Sequence, residues 1–464
     1  MQTRPLGATG LDCHPFGFGC YRVVNGHAGH EAALRRYLDL GGNLIDTSAN
    51  YGDGASEELV AAVLPDYPRE KVIVVTKGGY IQGQNMALAE QRRFPEVVHY
   101  GPGIWHCIHP EFLETQIDLS LARLQQDRVD VYLLHNPEYF LEDIAHRREL
   151  TPEDLDEFYG RIAEAFRFLE EKVAEGKIGW YGISSNNYGQ PAFDAGQGCT
   201  TMTSVHRTLE QAQSLSPRHH FRVVQLPLNL YEGGGATEKN NAGETVLTFC
   251  RRQGVGVLAN RPLNAFQRNQ MIRLADWLQP GSAAPGPERL KEIVEPMRRL
   301  EETFARLLDN RVRLAGDESM SELFLRVIPQ VESVSRWQQV AGPNVIEPVR
   351  AWIVQAGEKF RRHPGWDAWQ QDLVKTLNTL LEEVQDLLAT RQQDVSDQVR
   401  AKLLAAGYPA GDESLSRMAL RVLAGLEGLS CVLVGMRKPR YVDDVLGAAG
   451  PDRLDSLSIL ARFS

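Results

Sequence analysis

Short apolar runs rich in β-branched residues recur along this chain and alternate with stretches whose apolar positions repeat at helical spacing. The runs predict strands over 14–19, 43–46, 72–76, 129–134, 178–184, 222–226, 255–259 and 430–435. Amphipathic helices are predicted over 30–40, 57–64, 111–125, 155–175, 244–253 and 413–426. VIVVT, VDVYLL and CVLVG are apolar at nearly every position, as strands covered on both faces are. Alternation of this kind gives a parallel sheet, and eight such strands fit a closed (β/α)8 barrel, the α/β class known as the TIM barrel.

One segment breaks the rhythm. From 266 to 412 the pattern is helical, with helices predicted over 287–308, 317–331, 347–360 and 366–390 and almost no strand signal. Leu373, Leu377, Leu380, Leu381, Val384, Leu387 and Leu388 recur along one helical stripe. Gly/Pro-rich stretches at 280–286 and 407–411 mark its edges. The expected organisation is a barrel built from 1–265 and 413–464, with 266–412 as an inserted all-helical domain. That insertion leaves after strand seven, on the rim where barrel enzymes hold their chemistry, and its tryptophans and leucines need cover. A self-packed bundle that narrows access to the site is the favoured reading, with a homodimer contact or a passive insert as alternatives. A second long excursion, 78–110, leaves strand three.

Composition narrows the class of partner. The 60 acidic residues outnumber the 50 basic ones, for a formal net charge of -10, which argues against nucleic acid or an anionic membrane. The 6 cysteines are scattered without paired spacing, so a disulfide framework is not expected and a reducing, cytoplasmic setting is. The first residues lack the apolar core of a signal peptide, and no run is long enough to span a bilayer.

Polar residues sit at the ends of the predicted strands. Asp46 closes NLID, Lys77 closes VIVVTK and His135 closes VDVYLLH, while Tyr51 follows Asp46 by one loop. In a parallel barrel all four reach one rim. Their chemistry is complementary. A tyrosine titrates near 10, and a neighbouring ammonium such as Lys77 lowers that value. Asp46 keeps Lys77 charged and oriented, and neutral His135 can hydrogen-bond a substrate carbonyl. Tyr51 then serves as proton donor to the alkoxide formed when a nicotinamide delivers hydride. No metal is needed. His106, Cys107 and His109, with His99, lack the spacing of a zinc site, and neither 17–19 nor 233–235 is a dinucleotide fingerprint.

The motifs together resemble the aldo-keto reductase family. RPLGATGLDCHPFGFGCYRV, GGNLIDTSANYGDGASEELV, VVTKGG and RVDVYLLHNPE carry most of the likeness, with KIGWYGISSNN, VVQLPLNL and VLVGMRKPRYVDD resembling the strand ends that bind cofactor. The resemblance makes Asp46, Tyr51, Lys77 and His135 the catalytic set and implies NADP(H) as cofactor, with NAD(H) as the alternative. It assigns cofactor contacts to Gly19, Cys20, Tyr21 and the turn ending at Arg22, to Ser184, Ser185 and Asn186, to Gln225, to Arg261, and to Gly435, Arg437 and Asp444. Of these, Arg437 is expected at the adenosine 2′-phosphate and Asp444 near adenine. Tyr21, Trp105 and Asn136 are expected to line the substrate. The sequence departs from the family where an aromatic ring is common after strand seven (here Asn260 and Arg261) and after the catalytic histidine (here Asn136). The implied activity is reduction of an aldehyde or ketone by NADPH, acting on a small carbonyl or sugar. Oxidation of a sugar or aldose is one alternative. A cofactor-binding scaffold or sensor, with the insertion docking a partner, is another.

Overall fold

The computed structural model describes residues 3–194, 198–267, 270–277, 288–309, 311–314, 317–331, 333–449 and 454–463. The Gly/Pro-rich edge expected at 280–286 lies outside them. The chain divides into two compact units, Met1–Leu274 with Lys402–Ser464, and Ala275–Ala401.

The first unit is a closed barrel of parallel strands: β1 (Phe16–Gly19), β2 (Leu44–Asp46), β3 (Ile73–Gly78), β4 (Val129–His135), β5 (Ile178–Ser184), β6 (Phe221–Pro227), β7 (Gly256–Asn260) and β8 (Cys431–Val434). Each strand pairs with its neighbours in sequence, and β8 closes on β1 through Val432↔Phe16 and Val434↔Phe18. Alternate residues supply the barrel interior: Ile73 and Val75, Val131 and Leu133, Val223, Leu258, Cys431 and Leu433 bury into one cluster with Leu44. A two-stranded ribbon, Arg4–Pro5 with Asp12–Cys13, adds Leu6 and Cys13 to that cluster. Helices between strands cover the outside. Helix Pro152–Ala174 is entered through a capping box in which Thr151 and Asp154 satisfy each other's backbone amides.

Register sets the rim. Asp46 lies beside Gly19, Ser184 beside both His135 and Gln225, and Asn260 beside Pro227. The polar strand ends are thereby brought to one level at the carboxyl end of the barrel.

Two excursions leave that rim. After β3 the chain forms a small antiparallel sheet from Tyr80–Ile81, Ile104–His106 and Val98–Gly101, plus helix Gln84–Arg92. Its own core is Ile81, Ala89, Phe94 and Cys107 against Phe112. After β7 the chain makes a hairpin, Asn264–Gln267 with Asn264↔Arg273 and Phe266↔Met271 in register. This corrects the expectation of helix from 266 onward: the alternation in NAFQRNQMIR is a strand pattern too short to stand out beside the helical run that follows. Helix Val205–Leu215, between β5 and β6, was also not expected, because VHRTLEQAQSL carries few apolar positions.

The second unit is helical, with Arg289–Leu308, Met320–Val327, Val334–Ala341, Glu347–Phe360 and most of Trp366–Ala405. Its apolar residues bury one another. Met297, Phe304, Phe324, Trp337, Val349, Trp366, Trp369, Leu373, Val384 and Leu388 form one core, in which the rings of Phe304 and Trp369 lie 4.6 Å apart. Buried Glu301 accepts from the amides of Met320 and Ser321 at 2.6 and 3.2 Å, satisfying the start of the second helix. Among the described residues no helix is long and apolar enough to cross a membrane.

Candidate active site

Lys77 closes β3 with its side chain wholly inside the barrel mouth, at 0% exposure. An ammonium there must spend all its hydrogens on protein acceptors. Nζ donates to Asp46 Oδ2 at 2.8 Å, to the Thr47 carbonyl at 2.8 Å and to the Tyr51 hydroxyl at 3.3 Å. Gln225 Nε2 donates to the other oxygen of Asp46 at 2.7 Å, and Gln225 Oε1 accepts from Ser184 Oγ and Asn260 Nδ2 at 3.1 and 3.3 Å. Five strand ends are thus tied into one network beneath Tyr51.

Burial sets the titration of this group. It pushes the Tyr51 phenol up to about 12; Lys77 pulls in the opposite direction and does not overcome it. The pull expected of Lys77 is present, but desolvation, invisible without the fold, outweighs it. The Asp46 carboxyl is likewise raised by burial, against the pull of Lys77. Burial works against the Lys77 charge, but Asp46 and the Tyr51 oxygen together hold it above the usual lysine range. The His135 imidazole is held well below its ordinary value by burial, then by Lys77 and His106, so it is neutral near pH 7. Its Nδ1 lies 3.1 Å from Ser48 Oγ, and its backbone carbonyl meets His106 Nε2 at 2.7 Å.

These groups open onto a cavity of about 740 Å³. Of the expected site residues, Gly19, Tyr21, Asp46, Tyr51, His135, Asn136, Asn186, Arg261, Gly435 and Arg437 line it. Ser184 and Gln225 lie under the lining in the Asp46 network, and Cys20 is buried with its amide on the Asp46 carbonyl. Ser185 points away, onto Thr203 at 3.0 Å. Asp444 is occupied by Ser414, Ser416 and Arg417, and Trp105 packs on His99 at 4.2 Å; neither is among the lining residues. The remaining histidines of the metal question are engaged structurally: His106 on the His135 carbonyl and His109 as the cap of helix Pro110–Leu124. Among the described residues no group of three or more metal-type side chains gathers.

The lining also contains residues that the sequence did not single out. Arg273, from the hairpin, joins Arg22 and Arg437. Burial lowers the Arg273 guanidinium, and the positive charges of Arg437 and Arg22 lower it further. None of the three has a carboxylate partner among the ion pairs of the described residues, in a chain of net charge -10. Three uncompensated guanidiniums at one end of a cavity suit phosphate groups. Asn260 Oδ1 and Arg261 Nε are buried polar atoms without a protein partner at the same mouth. The residues therefore fit a dinucleotide, whose phosphates the arginines could hold. Asn50, Gln82, Tyr80 and Tyr139 line the same cavity.

Fold and site together define a (β/α)8 barrel with a buried lysine–aspartate–tyrosine cluster and a neutral histidine at its carboxyl rim. The family model described as "Aldo/keto reductase family" matches residues 24–273, more than half of the chain, and the chain belongs to that family. It is 28% identical over 186 residues to the NADH-specific methylglyoxal reductase of Escherichia coli (strain K12), a match covering 38% of this chain and 50% of that protein. It is 29% identical over 193 residues to the 6-dehydroglucose reductase of Novosphingobium aromaticivorans, covering 39% and 51% respectively. The chain thus spans about half the length of these curated relatives. Among solved structures, the glycerol dehydrogenase from Gluconobacter oxydans aligns over 99% of this chain and 95% of its own, at 17% identity and a TM-score of 0.49.

Proposed function

We propose that the protein is an NADPH-dependent reductase of a small aldehyde or ketone, with Tyr51 as general acid. The observation that carries this reading is the fully buried Lys77 ammonium shared among Asp46 Oδ2, the Thr47 carbonyl and the Tyr51 hydroxyl at the mouth of the cavity. A reduced nicotinamide, when bound, supplies hydride to the carbonyl carbon. The chain's own residues do the rest. Tyr51, protonated across the neutral range, donates its phenolic hydrogen to the carbonyl oxygen as negative charge develops there. Lys77 stabilises the phenolate left behind, and Asp46 keeps that cation in place. His135, its ring 5.9 Å from that of Tyr51, orients the substrate in the same cavity. Arg22, Arg273 and Arg437 would hold the phosphates, and Asn186 and Asn260 would receive the carboxamide of the nicotinamide.

The arginines favour the phosphorylated dinucleotide, since a guanidinium grips a phosphate through paired hydrogen bonds. The relative named as NADH-specific keeps NADH as the competing cofactor. The test is consumption of NADPH and NADH against a panel of aldehydes, ketones and sugars, beside the same assay on Tyr51→Phe. Turnover by the wild type, lost in the variant while dinucleotide binding persists, is the expected result. Equal turnover in both would remove Tyr51 from the chemistry.

A further inference from the structure

We propose that Glu138, which takes no part in the reduction itself, is a positioning residue controlled by its own proton: neutral, it backs the cavity wall at Asn186 and the dinucleotide binds; ionised, it weakens that binding. The inference rests on the dinucleotide reading of the cavity and concerns what stands behind its wall.

Glu138 lies just beyond β4, and Asn136 and Tyr139 on either side of it in sequence both line the cavity. Glu138 itself is buried, at 1% exposure. Its Oε1 accepts from the backbone amide of Asn186 at 2.7 Å, which fixes the chain just past β5, where Asn186 reaches the same cavity. Its Oε2 is buried without a hydrogen-bond partner. Among the described residues no cation pairs with this carboxyl. The charge that acts on it is that of Glu142, one turn along the helix Tyr139–Ala145 and of the same sign. Tyr80 from the small sheet after β3, Tyr139 from the same helix and Tyr188 from beyond β5 face it with phenols that burial keeps uncharged.

A carboxylate needs solvent or a positive partner, and here it has neither. Burial accordingly pushes the carboxyl up to about 8, and Glu142 adds to the rise; the amides of Glu138 and Asn186 and the Ser185 hydroxyl pull the other way and are outweighed. The group is an uncharged acid at neutral pH and loses its proton on the alkaline side. A glutamine of the same shape would hold the Asn186 amide without that penalty, so a titrating group here calls for a role at the site it backs.

The cavity decides the direction. A dinucleotide carries negative phosphates, and filling the cavity takes water from the wall in front of Glu138. Both effects penalise the ionised form, so binding favours the protonated protein and then keeps the proton in place. Affinity falls as pH rises through about 8, while turnover of the loaded enzyme does not sense the change.

Fluorescence titration of the full-length protein with NADPH at about pH 7 and about pH 9.5 should show the dissociation constant rising about tenfold, and Glu138→Gln should abolish the rise. A phosphate monoester, whose second proton leaves at about 6, is ionised at both values and adds nothing to the difference. In calorimetry at about pH 8, the heat of NADPH binding to the wild type should vary with the ionisation enthalpy of the buffer, as uptake of part of a proton requires. These two wild-type measurements stand even where the variant does not fold. The unliganded protein gives a further reading. The Glu138 carboxyl, raised in the folded state, contributes stability that is fully present below the ordinary carboxylate range and lost as pH rises through about 8. The melting temperature of Glu138→Gln should therefore gain on the wild type between the two pH values. A dissociation constant that does not move with pH in the wild type overturns the inference, as does the same rise in Glu138→Gln or an unchanged gap in melting temperature. Failure of the reductase reading looks different: dinucleotide binds but no carbonyl compound is turned over, and the pH dependence of binding still decides this inference. A chain that binds no dinucleotide overturns both.

Discussion

A buried ammonium ion survives only among groups that take all its hydrogens, and Lys77 is such a case. Replacing it by Met would leave Asp46 buried and unpaired, at a cost of roughly 3–5 kcal/mol. The melting temperature of Lys77→Met should therefore fall together with its turnover, and calorimetry beside kinetics separates the two losses. Tyr51→Phe is expected to behave otherwise. It removes one hydroxyl and keeps the ring, so stability should hold while kcat falls by about 10²–10⁴-fold, the usual share of general acid catalysis. Retained affinity in fluorescence titration with NADPH would show that the site is intact. The direction of the Tyr51 shift also fixes a pH profile. In the proposed mechanism reduction needs the protonated phenol, which burial pushes up to about 12, and neutral His135, which burial holds well below the ordinary histidine range. The reductive kcat/KM should thus stay level from pH 6 to 9 and decline only in strong alkali, where the phenol loses its proton. A limb falling near pH 6.5 would mean that His135 titrates in the ordinary way. The four catalytic candidates were legible in the sequence because each ends a strand or the loop after it. Asn50, Gln82 and Tyr139 of the cavity lining were not, because they are brought to the mouth by the fold, which no spacing records.

Strands β5 and β6 approach so closely at Gly182 that a Cβ there would stand 1.6 Å from the Val223 carbonyl oxygen. The obstacle is backbone, which cannot rotate away. Gly182→Ala should destabilise by about 3 kcal/mol or more and disturb the register that seats Ser184 beside His135 and Gln225. Thermal melting with intrinsic fluorescence would read both. The hairpin after β7 has a different sensitivity. Arg273→Ala should weaken NADPH binding about tenfold, the order expected for one charge-assisted hydrogen bond to phosphate, and the deficit should shrink as salt rises. A dissociation constant unchanged at low salt would place the phosphates elsewhere. Barrel strands such as VIVVT announced themselves through continuous apolar runs, and each was anticipated to within a few residues. The hairpin was hidden, since four-residue strands give one alternation each, and the Arg273 side chain was lost with it.

At the scale of the molecule, the described lining residues of the cavity belong to the unit formed by Met1–Leu274 and Lys402–Ser464. The helical unit has a hydrophobic core of its own, the feature that the leucine and tryptophan spacing foretold. Replacing Ala275–Ala401 by a short Gly/Ser linker should therefore give a folded barrel with unchanged affinity for NADPH, measured by calorimetric titration. Loss of binding in a variant with a native circular dichroism spectrum would assign part of the cofactor site to the helices.

The position of that helical unit in the chain has a consequence for synthesis. Strand β8 pairs with β7 through Leu258↔Cys431 and with β1 through Val432↔Phe16, yet the ribosome makes the whole of Ala275–Ala401 between β7 and β8. At roughly 5–20 residues per second that interval is on the order of ten seconds. Throughout it the nascent chain carries seven strands with two unpaired edges, at β1 and β7, which are templates for pairing with another chain. Helices built on local contacts form far faster than such an interval. The bundle is therefore expected to be complete before the barrel can close, in a nascent chain whose helices are folded while its sheet is still open.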